Sequence, residues 1–147
     1  MSRGYCAIGI DHVKTPVNVG TLWRSAYNLG ASAIFTIGRR YPQQGADTVK
    51  AWRHIPLFEF RDAEDLIEHL PYGCPLVGVE IDERSKPLQR FHHPERACYV
   101  LGAEDHGLTK EVADACHFLV EIPSNRCLNV AVAGSIVLYD RNAKTAA

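Results

Sequence analysis

The stretch from Phe118 to Tyr139 constrains the fold of this chain more than any other. It opens with an apolar run of strand length that stops at Pro123, because proline cannot donate a hydrogen bond to a neighbouring strand. After a short polar turn, Asn129 stands where a helix N-cap is expected. The helix that follows, roughly thirteen residues long, is apolar on nearly every face and should be buried on two sides. In a small domain, the second side predicts contact with another subunit.

Upstream of this stretch, apolar runs of strand length alternate with segments of helical periodicity. Strands are predicted at 5–10, 33–37, 57–60, 76–81 and 98–101, and helices at 18–30, 63–70 and 109–116. The first helix should end at Gly30, and Thr109 can cap the last one. Between them, residues 38–54 are predicted to form a polar loop with a short helix near 48–52. The alternation predicts a single α/β domain over residues 1–147, with a mainly parallel sheet flanked by helices. Ligands of such sheets bind beyond the carboxyl ends of the strands.

The composition is that of a globular protein and excludes several classes. Apolar residues make up 46% and charged residues 22% of the 147 positions, which is ordinary for such a domain. No apolar run approaches the ~18 residues of a membrane-spanning helix, and the N-terminus lacks the apolar core of a signal peptide. We therefore expect a cytoplasmic protein. The five cysteines are odd in number and form no CxxC pair, which argues against a disulfide framework or a zinc site.

Charge is distributed unevenly along the chain. The net charge of −1 argues against nonspecific coating of nucleic acid. Between positions 39 and 54, however, Arg39, Arg40, Lys50 and Arg53 outnumber a single acid. With Trp52 among them, these cations could form a phosphate track with an aromatic ring for base stacking. The alternative is a solvated loop with Trp52 packed on the core.

The first of three candidate loops has the sequence NVGTLWR at 18–24. Asn18 is a suitable N-cap for the helix that follows. Gly20 and Arg24 are i, i+4 neighbours, so Arg24 overhangs a bare backbone position near a helix N-terminus, which favours anions. A guanidinium there can bind a phosphate. A capped helix with one exposed arginine explains the pattern equally well.

The other two loops also follow predicted strands. In LGAEDHGL at 101–108, Gly102 allows a ligand to approach the backbone, and Glu104 and Asp105 follow. A turn with solvated acids is the alternative there. The third loop, from Pro123 to Asn129, is polar although it lies between two strongly buried elements. Its backbone groups need hydrogen-bond partners, which a polar ligand could supply.

Together these loops resemble the SpoU (TrmH-type) branch of the SPOUT superfamily of RNA 2′-O-ribose methyltransferases. The matching segments are NVGTLWR at 18–24, LGAEDHGL at 101–108 and IPSNRCLNVAVAGSIVLYD at 122–140, in the order and spacing of that family. The resemblance implies the SPOUT fold, with a C-terminal trefoil knot that topology rules make improbable in advance. It also implies a homodimer packed through the C-terminal helix.

The resemblance further implies S-adenosyl-L-methionine as the cofactor. Its binding residues would be Val79, Leu101, Gly102, Ile122, Cys127 and Leu128. The reaction would be methyl transfer to a ribose 2′-hydroxyl of RNA, and the Rossmann-type cradle G-x-G-x-x-G is absent. Many ribosomal-RNA members of the family carry an N-terminal RNA-binding domain. We expect a protein without such an appended domain, and this expectation favours tRNA over rRNA. We expect neither a metal nor a membrane partner.

By the same resemblance, the catalytic residues would be Arg24, Asn18, Glu104 and Asn129. In this family, the arginine at the position of Arg24 is often assigned as the general base, but an arginine stays protonated in proteins. Arg24 is therefore expected to hold the target phosphate and ribose and to stabilise negative charge on the 2′-oxygen. Asn18 would orient Arg24 or the ribose, and Glu104 would fix Arg24 or loop amides. Asn129 would hold the loop or a substrate oxygen, although both asparagines could also be simple helix caps.

Cys127 departs from the family pattern, in which a serine usually precedes Leu-Asn. A thiol is a weaker hydrogen-bond partner than a hydroxyl. This departure keeps a second reading open, that of a catalytically weak or inactive RNA-binding knot protein acting as a partner or chaperone module. A third reading, another small nucleotide-binding α/β protein, requires that S-adenosylmethionine does not bind.

Overall fold

The computed structural model describes residues 4–39, 44–103 and 106–145, which fold around a seven-stranded parallel sheet. The strands are β1 (Cys6–Asp11), β2 (Ala33–Ile37), β3 (Leu57–Phe60), β4 (Leu76–Val79), β5 (Lys86–Pro87), β6 (Ala97–Leu101) and β7 (Phe118–Glu121). Their order across the sheet is β3-β2-β1-β6-β4-β7-β5. The predicted α/β class and parallel sheet are confirmed. The threading of the predicted trefoil knot stays a prediction.

In the described residues, four α-helices flank the sheet. They are α1 (Pro16–Asn28), α2 (Ala63–Glu68), α3 (Lys110–Ala115) and α4 (Val130–Thr145). Short 3₁₀ helices cover Ala51–Arg53 and Leu88–Arg90. None of the helices in the described part of the chain is long and apolar enough to cross a membrane.

The core lies on both faces of the sheet because alternate strand residues point to opposite sides. On one face, Ile8 of β1 belongs to an apolar cluster with residues of α1 and α4. On the other face, Ala7 belongs to a cluster with residues of α2 and α3. β1, β2 and β6 are buried along their whole length, as expected for central parallel strands with helices on both faces.

The largest departure from the sequence prediction is at the start of α1. Asn18 is not its N-cap, because the helix begins at Pro16 and Thr15 occupies the cap position. Proline suits the first helical turn, where its missing N–H would have no partner in any case. The predicted strand at 76–81 ends earlier, at Val79, and the short strand β5 was not predicted. α4 has 16 residues and is longer than its pattern suggested.

Candidate functional site

A cavity of about 430 Å³ opens where β4, β6 and β7 end at their carboxyl side. All six residues predicted to bind a cofactor line it: Val79, Leu101, Gly102, Ile122, Cys127 and Leu128. The lining is continued by Val130 and Ala133 of α4. The structure therefore brings the second and third candidate loops together around one cavity. The assignment of these residues to a cofactor stays a prediction.

The wall formed by the second loop is held by two carboxylates. Glu80, directly after β4, accepts hydrogen bonds from the backbone N–H of Leu108 at 2.6 Å and of Ile81 at 3.1 Å. From the other side, the buried carboxylate of Asp11 accepts from the N–H and the hydroxyl of Thr109, at 2.8 and 2.9 Å. The loop therefore has fixed attachments on both sides.

Two glycines allow this loop to pack so closely. A Cβ at Gly102 would lie 2.0 Å from the carbonyl carbon of Gly107, so a side chain there has no space. Gly107 has a φ of +65°, in the left-handed region that favours glycine, and a Cβ there would meet the Glu80 carboxylate at 2.0 Å. The conformation of the loop thus depends on glycine at both positions, 102 and 107.

The first candidate loop, residues 18–24, lies within α1, and it meets the third loop through Asn18 and Asn129. The Asn129 Nδ2 donates to the Asn18 Oδ1 at 3.0 Å, across 111 positions of sequence. The Asn129 Oδ1 accepts from the backbone N–H of Ala131 at 2.9 Å and of Val132 at 3.3 Å, which confirms Asn129 as the N-cap of α4. Asn129 therefore caps one helix and binds another.

Arg24 lies further along α1 and does not line the cavity of the single chain. Its side chain is exposed, and no hydrogen bond or ion pair to it is found within residues 4–39, 44–103 and 106–145. The guanidinium is thus available to an external anion. Glu104, its predicted partner, lies outside the described residues.

The predicted basic loop is only partly an open surface. Arg39 is exposed and donates from Nη1 to the Val13 carbonyl at 2.8 Å, and Lys50 and Arg53 are exposed as well. Trp52 packs against the core cluster, and the Arg53 guanidinium lies 5.1 Å from the centre of its ring. The alternative of a packed tryptophan is therefore the observed one. Arg40 lies outside the described residues.

The sequence of the chain matches a known family. The sequence model of the SpoU rRNA Methylase family matches residues 6–139. The chain belongs to this family. In this SpoU-family chain, the match extends from the first strand of the sheet into α4, so it includes all three loops of the site.

Relatives named for RNA methylation match most of this SpoU-family chain. The 23S rRNA (guanosine-2'-O-)-methyltransferase RlmB of Acinetobacter baylyi is 26% identical, over 90% of this chain and 57% of RlmB. The AdoMet-bound rRNA methyltransferase from Sinorhizobium meliloti is 25% identical with a TM-score of 0.85, over 97% of this chain and 57% of that one. This chain thus spans just over half the length of both relatives.

A third comparison shows the fold at full length. A structure described for the 2-OH methylation of C/U34 on tRNA is 23% identical, with a TM-score of 0.82. The match covers 97% of both chains, so the SpoU fold is shared from end to end.

Several residues at the site were not predicted from the sequence. Glu80, Glu121 and His106 line the cavity, and Asp11 supports its wall. The position of Glu80 and Asp11 immediately at the ends of buried strands was the available signal. A possible metal-ligand group, Asp65, Glu68 and His69, lies at the end of α2, and none of its members lines the cavity.

Proposed function

We propose that this protein transfers a methyl group from S-adenosylmethionine to a ribose 2′-hydroxyl of RNA, with tRNA rather than rRNA as the substrate. The observation that carries the proposal is the joining of three loops at one place. The second and third loops enclose the cavity, and the Asn18–Asn129 hydrogen bond attaches the first candidate loop to them. RlmB, a relative by sequence, is named as a guanosine-2'-O-methyltransferase.

The cavity fits the cofactor in size and chemistry. Its volume of about 430 Å³ lies in the usual range for pockets that bind small molecules. Val79, Ile122 and Leu128 offer apolar surface for a purine, and the backbone of Gly102, which also lines the cavity, can form hydrogen bonds with ribose and adenine edges. The carboxylates of Glu80 and Glu121 supply negative charge near a cationic ligand. When bound, the cofactor supplies an activated methyl group on a sulfonium centre.

The protein's part in the chemistry is to position the ribose and to manage one proton. Asn18 and Asn129 would orient the ribose, because their amides lie together at the N-terminus of α4. The Arg24 guanidinium would bind the adjacent phosphate and stabilise charge developing on the 2′-oxygen. The hydroxyl proton would pass to the phosphate or to water. Glu104 would support Arg24 or the loop amides.

A homodimer through α4 belongs to the same proposal. One face of α4 packs on α1 so closely that a Cβ at Gly134 would meet the Leu22 Cδ1 at 2.4 Å. On the opposite face, Val132, Ile136 and Tyr139 are 48%, 38% and 67% exposed. These residues form an i, i+4, i+7 apolar stripe, which a second copy of the chain would cover. Val132→Glu combined with Ile136→Glu should yield a monomer in sedimentation analysis, whereas an unchanged dimer would exclude this surface.

RNA would approach along the basic residues Arg39, Arg40, Lys50 and Arg53. Arg39, Lys50 and Arg53 are exposed, and each can bind a phosphate. Reversal of the charge at Arg39 and Arg40 should weaken RNA binding at low salt. An unchanged affinity would remove these two residues from the RNA surface.

Calorimetry and labelled-methyl transfer test the proposal together. The protein should bind S-adenosylmethionine, and it should transfer methyl groups into purified tRNA more efficiently than into rRNA. Nuclease digestion followed by mass spectrometry should then find a 2′-O-methyl nucleotide. Cofactor binding without transfer to any RNA would favour the inactive RNA-binding module instead. Absence of cofactor binding would leave another nucleotide-binding α/β protein.

A further inference from the structure

Tyr27 and His54 form an aromatic pair at the C-terminal end of α1. Their ring centroids lie 4.8 Å apart with an interplanar angle of 30°, a stacked arrangement. His54 is exposed, and Tyr27 is 37% exposed although it belongs to a helix that packs on the core. The pair joins α1 to the 3₁₀ helix Ala51–Arg53, because His54 directly follows that helix.

The segment that carries His54 is held firmly against α1. A Cβ at Gly20 would lie 2.7 Å from the Gln44 Cβ and 3.1 Å from the Asp47 nitrogen, so the segment packs directly on this glycine. Gly20, Arg24 and Tyr27 follow one another at i, i+4 and i+7, and therefore share one face of α1. Arg24 thus stands between the segment's contact at Gly20 and the stacked pair.

The electrostatics of this face are basic. Asp47 is 3% exposed, and its two carboxylate oxygens accept from the Ala51 N–H at 3.0 and 3.1 Å. The acid is thereby turned inward. Lys50, Arg53 and Arg24 are exposed, and none of the three forms a salt bridge with another described residue. The aromatic pair therefore has cations beside it and no exposed acid from the 44–54 segment.

We propose that the Tyr27–His54 pair is a stacking platform for an unpaired nucleobase of the RNA substrate, with Arg24 and Arg53 binding the flanking phosphates. The inference rests on the proposed function and states which part of the RNA binds to this face of α1. Trp52 cannot serve as the platform, since it packs on the core and Arg53 covers its ring. Tyr27 lies roughly 13 Å along the helix axis from Asn18. The stacked base therefore belongs to a nucleotide near the target ribose, not to the target itself.

The test compares two fluorescein-labelled RNA probes, a single-stranded twelve-nucleotide RNA of mixed sequence and an abasic strand of equal length. Stacking requires bases, whereas phosphate binding does not. Tyr27→Ala and His54→Ala should each weaken binding of the base-containing probe by roughly 5- to 150-fold, the range for base–aromatic stacking. They should leave binding of the abasic probe unchanged. Tyr27→Phe should behave as the wild type, because it keeps the ring.

The matched control is Tyr72→Ala, which removes a tyrosine that is 94% exposed in the turn before β4. It should bind both probes as the wild type does. Arg53→Ala should weaken the binding of both probes, because Arg53 is proposed to contact phosphate. Thermal unfolding of each variant verifies that the fold is intact.

Three results of the binding experiment would overturn the platform. They are equal affinity of the wild type for the two probes, no measurable binding of either, or Tyr27→Ala binding the base-containing probe as tightly as Tyr72→Ala does. Methyl transfer to tRNA separates this inference from the proposed function. If the wild type transfers methyl groups and Tyr27→Ala leaves the KM for tRNA unchanged, the platform alone is wrong. If the wild type transfers none to any RNA, the proposed function fails.

Discussion

Asn129 uses its two amide atoms on two different helices. Its Oδ1 caps α4 by accepting from the N–H groups of Ala131 and Val132, while its Nδ2 donates to the Asn18 Oδ1 of α1 at 3.0 Å. One side chain thereby fixes the start of the helix proposed to form the dimer and the part of α1 proposed to hold the ribose. A substitution that affects only one of these bonds separates stability from catalysis.

Asn129→Asp is that substitution. Aspartate caps a helix as well as asparagine does, so the free energy of unfolding should change little. The carboxylate cannot donate to Asn18, so methyl transfer to tRNA should fall at least tenfold. Asn129→Ala should lose the same activity and also about 1 kcal/mol of stability. Asn142→Asp, near the other end of α4 where the Asn142 Nδ2 donates to the Leu29 carbonyl, is the matched control and should keep full activity. Full activity in Asn129→Asp would contradict this role.

Glu80→Ala should weaken S-adenosylmethionine binding without abolishing the fold. The variant loses the hydrogen bond from Leu108 at 2.6 Å and the one from Ile81 at 3.1 Å, which hold one wall of the cavity. Hydrogen bonds to a charged group contribute about 1.5–3 kcal/mol, so we expect at least tenfold weaker binding by calorimetry. Glu83→Ala, an exposed acid three positions away, should bind the cofactor normally. Equal affinities for the two variants would show that Glu80 does not support the site.

Arg24→Ala should keep cofactor binding and lose methyl transfer, because Arg24 does not line the cavity yet is proposed to bind the RNA phosphate. Arg24→Lys should recover part of the transfer, since lysine keeps the charge but not the planar fork. The measurements are calorimetry for the cofactor and single-turnover transfer for the reaction. Unchanged turnover in Arg24→Ala would remove it from the catalytic residues.

Cys127→Ser should retain or improve methyl transfer. Cys127 is exposed and lines the cavity, and a hydroxyl is the stronger hydrogen-bond partner at this position. The test is the kcat/KM for tRNA of the two proteins side by side. A large loss in the serine variant would instead assign the thiol a role of its own.

His93 predicts a pH dependence of stability. Its side chain is enclosed, with Nδ1 2.7 Å from the Tyr99 hydroxyl and Nε2 2.7 Å from the Asp140 carboxylate. Burial, partly opposed by Asp140, lowers the pKa of His93 below its usual value of about 6.5. The unfolded chain therefore takes up this proton at a higher pH than the folded one does. The free energy of unfolding should fall as the pH drops below about 6.5 and through the lower folded-state pKa.

The measurement for His93 is denaturant unfolding at about pH 7.5 and pH 5.5. His93→Gln should lose less stability between the two pH values than the wild type, since the titrating group is gone. His92→Gln removes the exposed neighbouring histidine and should follow the wild type. If His93→Gln and the wild type lose the same amount, another group governs the acid sensitivity.

The features that the sequence predicted correctly are those determined by residues close by in the chain. The bounds of β2 and β3 agree with the structure, Thr109 caps α3, and Gly30 lies just beyond α1 with a φ of +84°. Each of these has a local cause: an apolar run, a capping hydroxyl or a glycine that tolerates positive φ. The cavity-lining residues were predicted from a family resemblance, because no local pattern shows which loops meet.

The remaining features depend on contacts between distant parts of the chain. Asn18 was expected to cap α1, but the helix begins earlier, at Pro16. The Asn18 Oδ1 instead accepts a hydrogen bond from Asn129. The carboxylate that holds the Leu108 amide is that of Glu80, which follows a different strand and was not predicted from the sequence. Such pairings are determined by the order of strands in the sheet, which periodicity alone does not contain.

The most direct test of the central proposal is mass-spectrometric mapping of 2′-O-methyl nucleotides in RNA from cells with and without this protein. One 2′-O-methyl nucleotide in tRNA should disappear from cells that lack the protein. It should return with the wild-type chain and not with Arg24→Ala. An unchanged set of 2′-O-methyl nucleotides in both tRNA and rRNA would contradict the account.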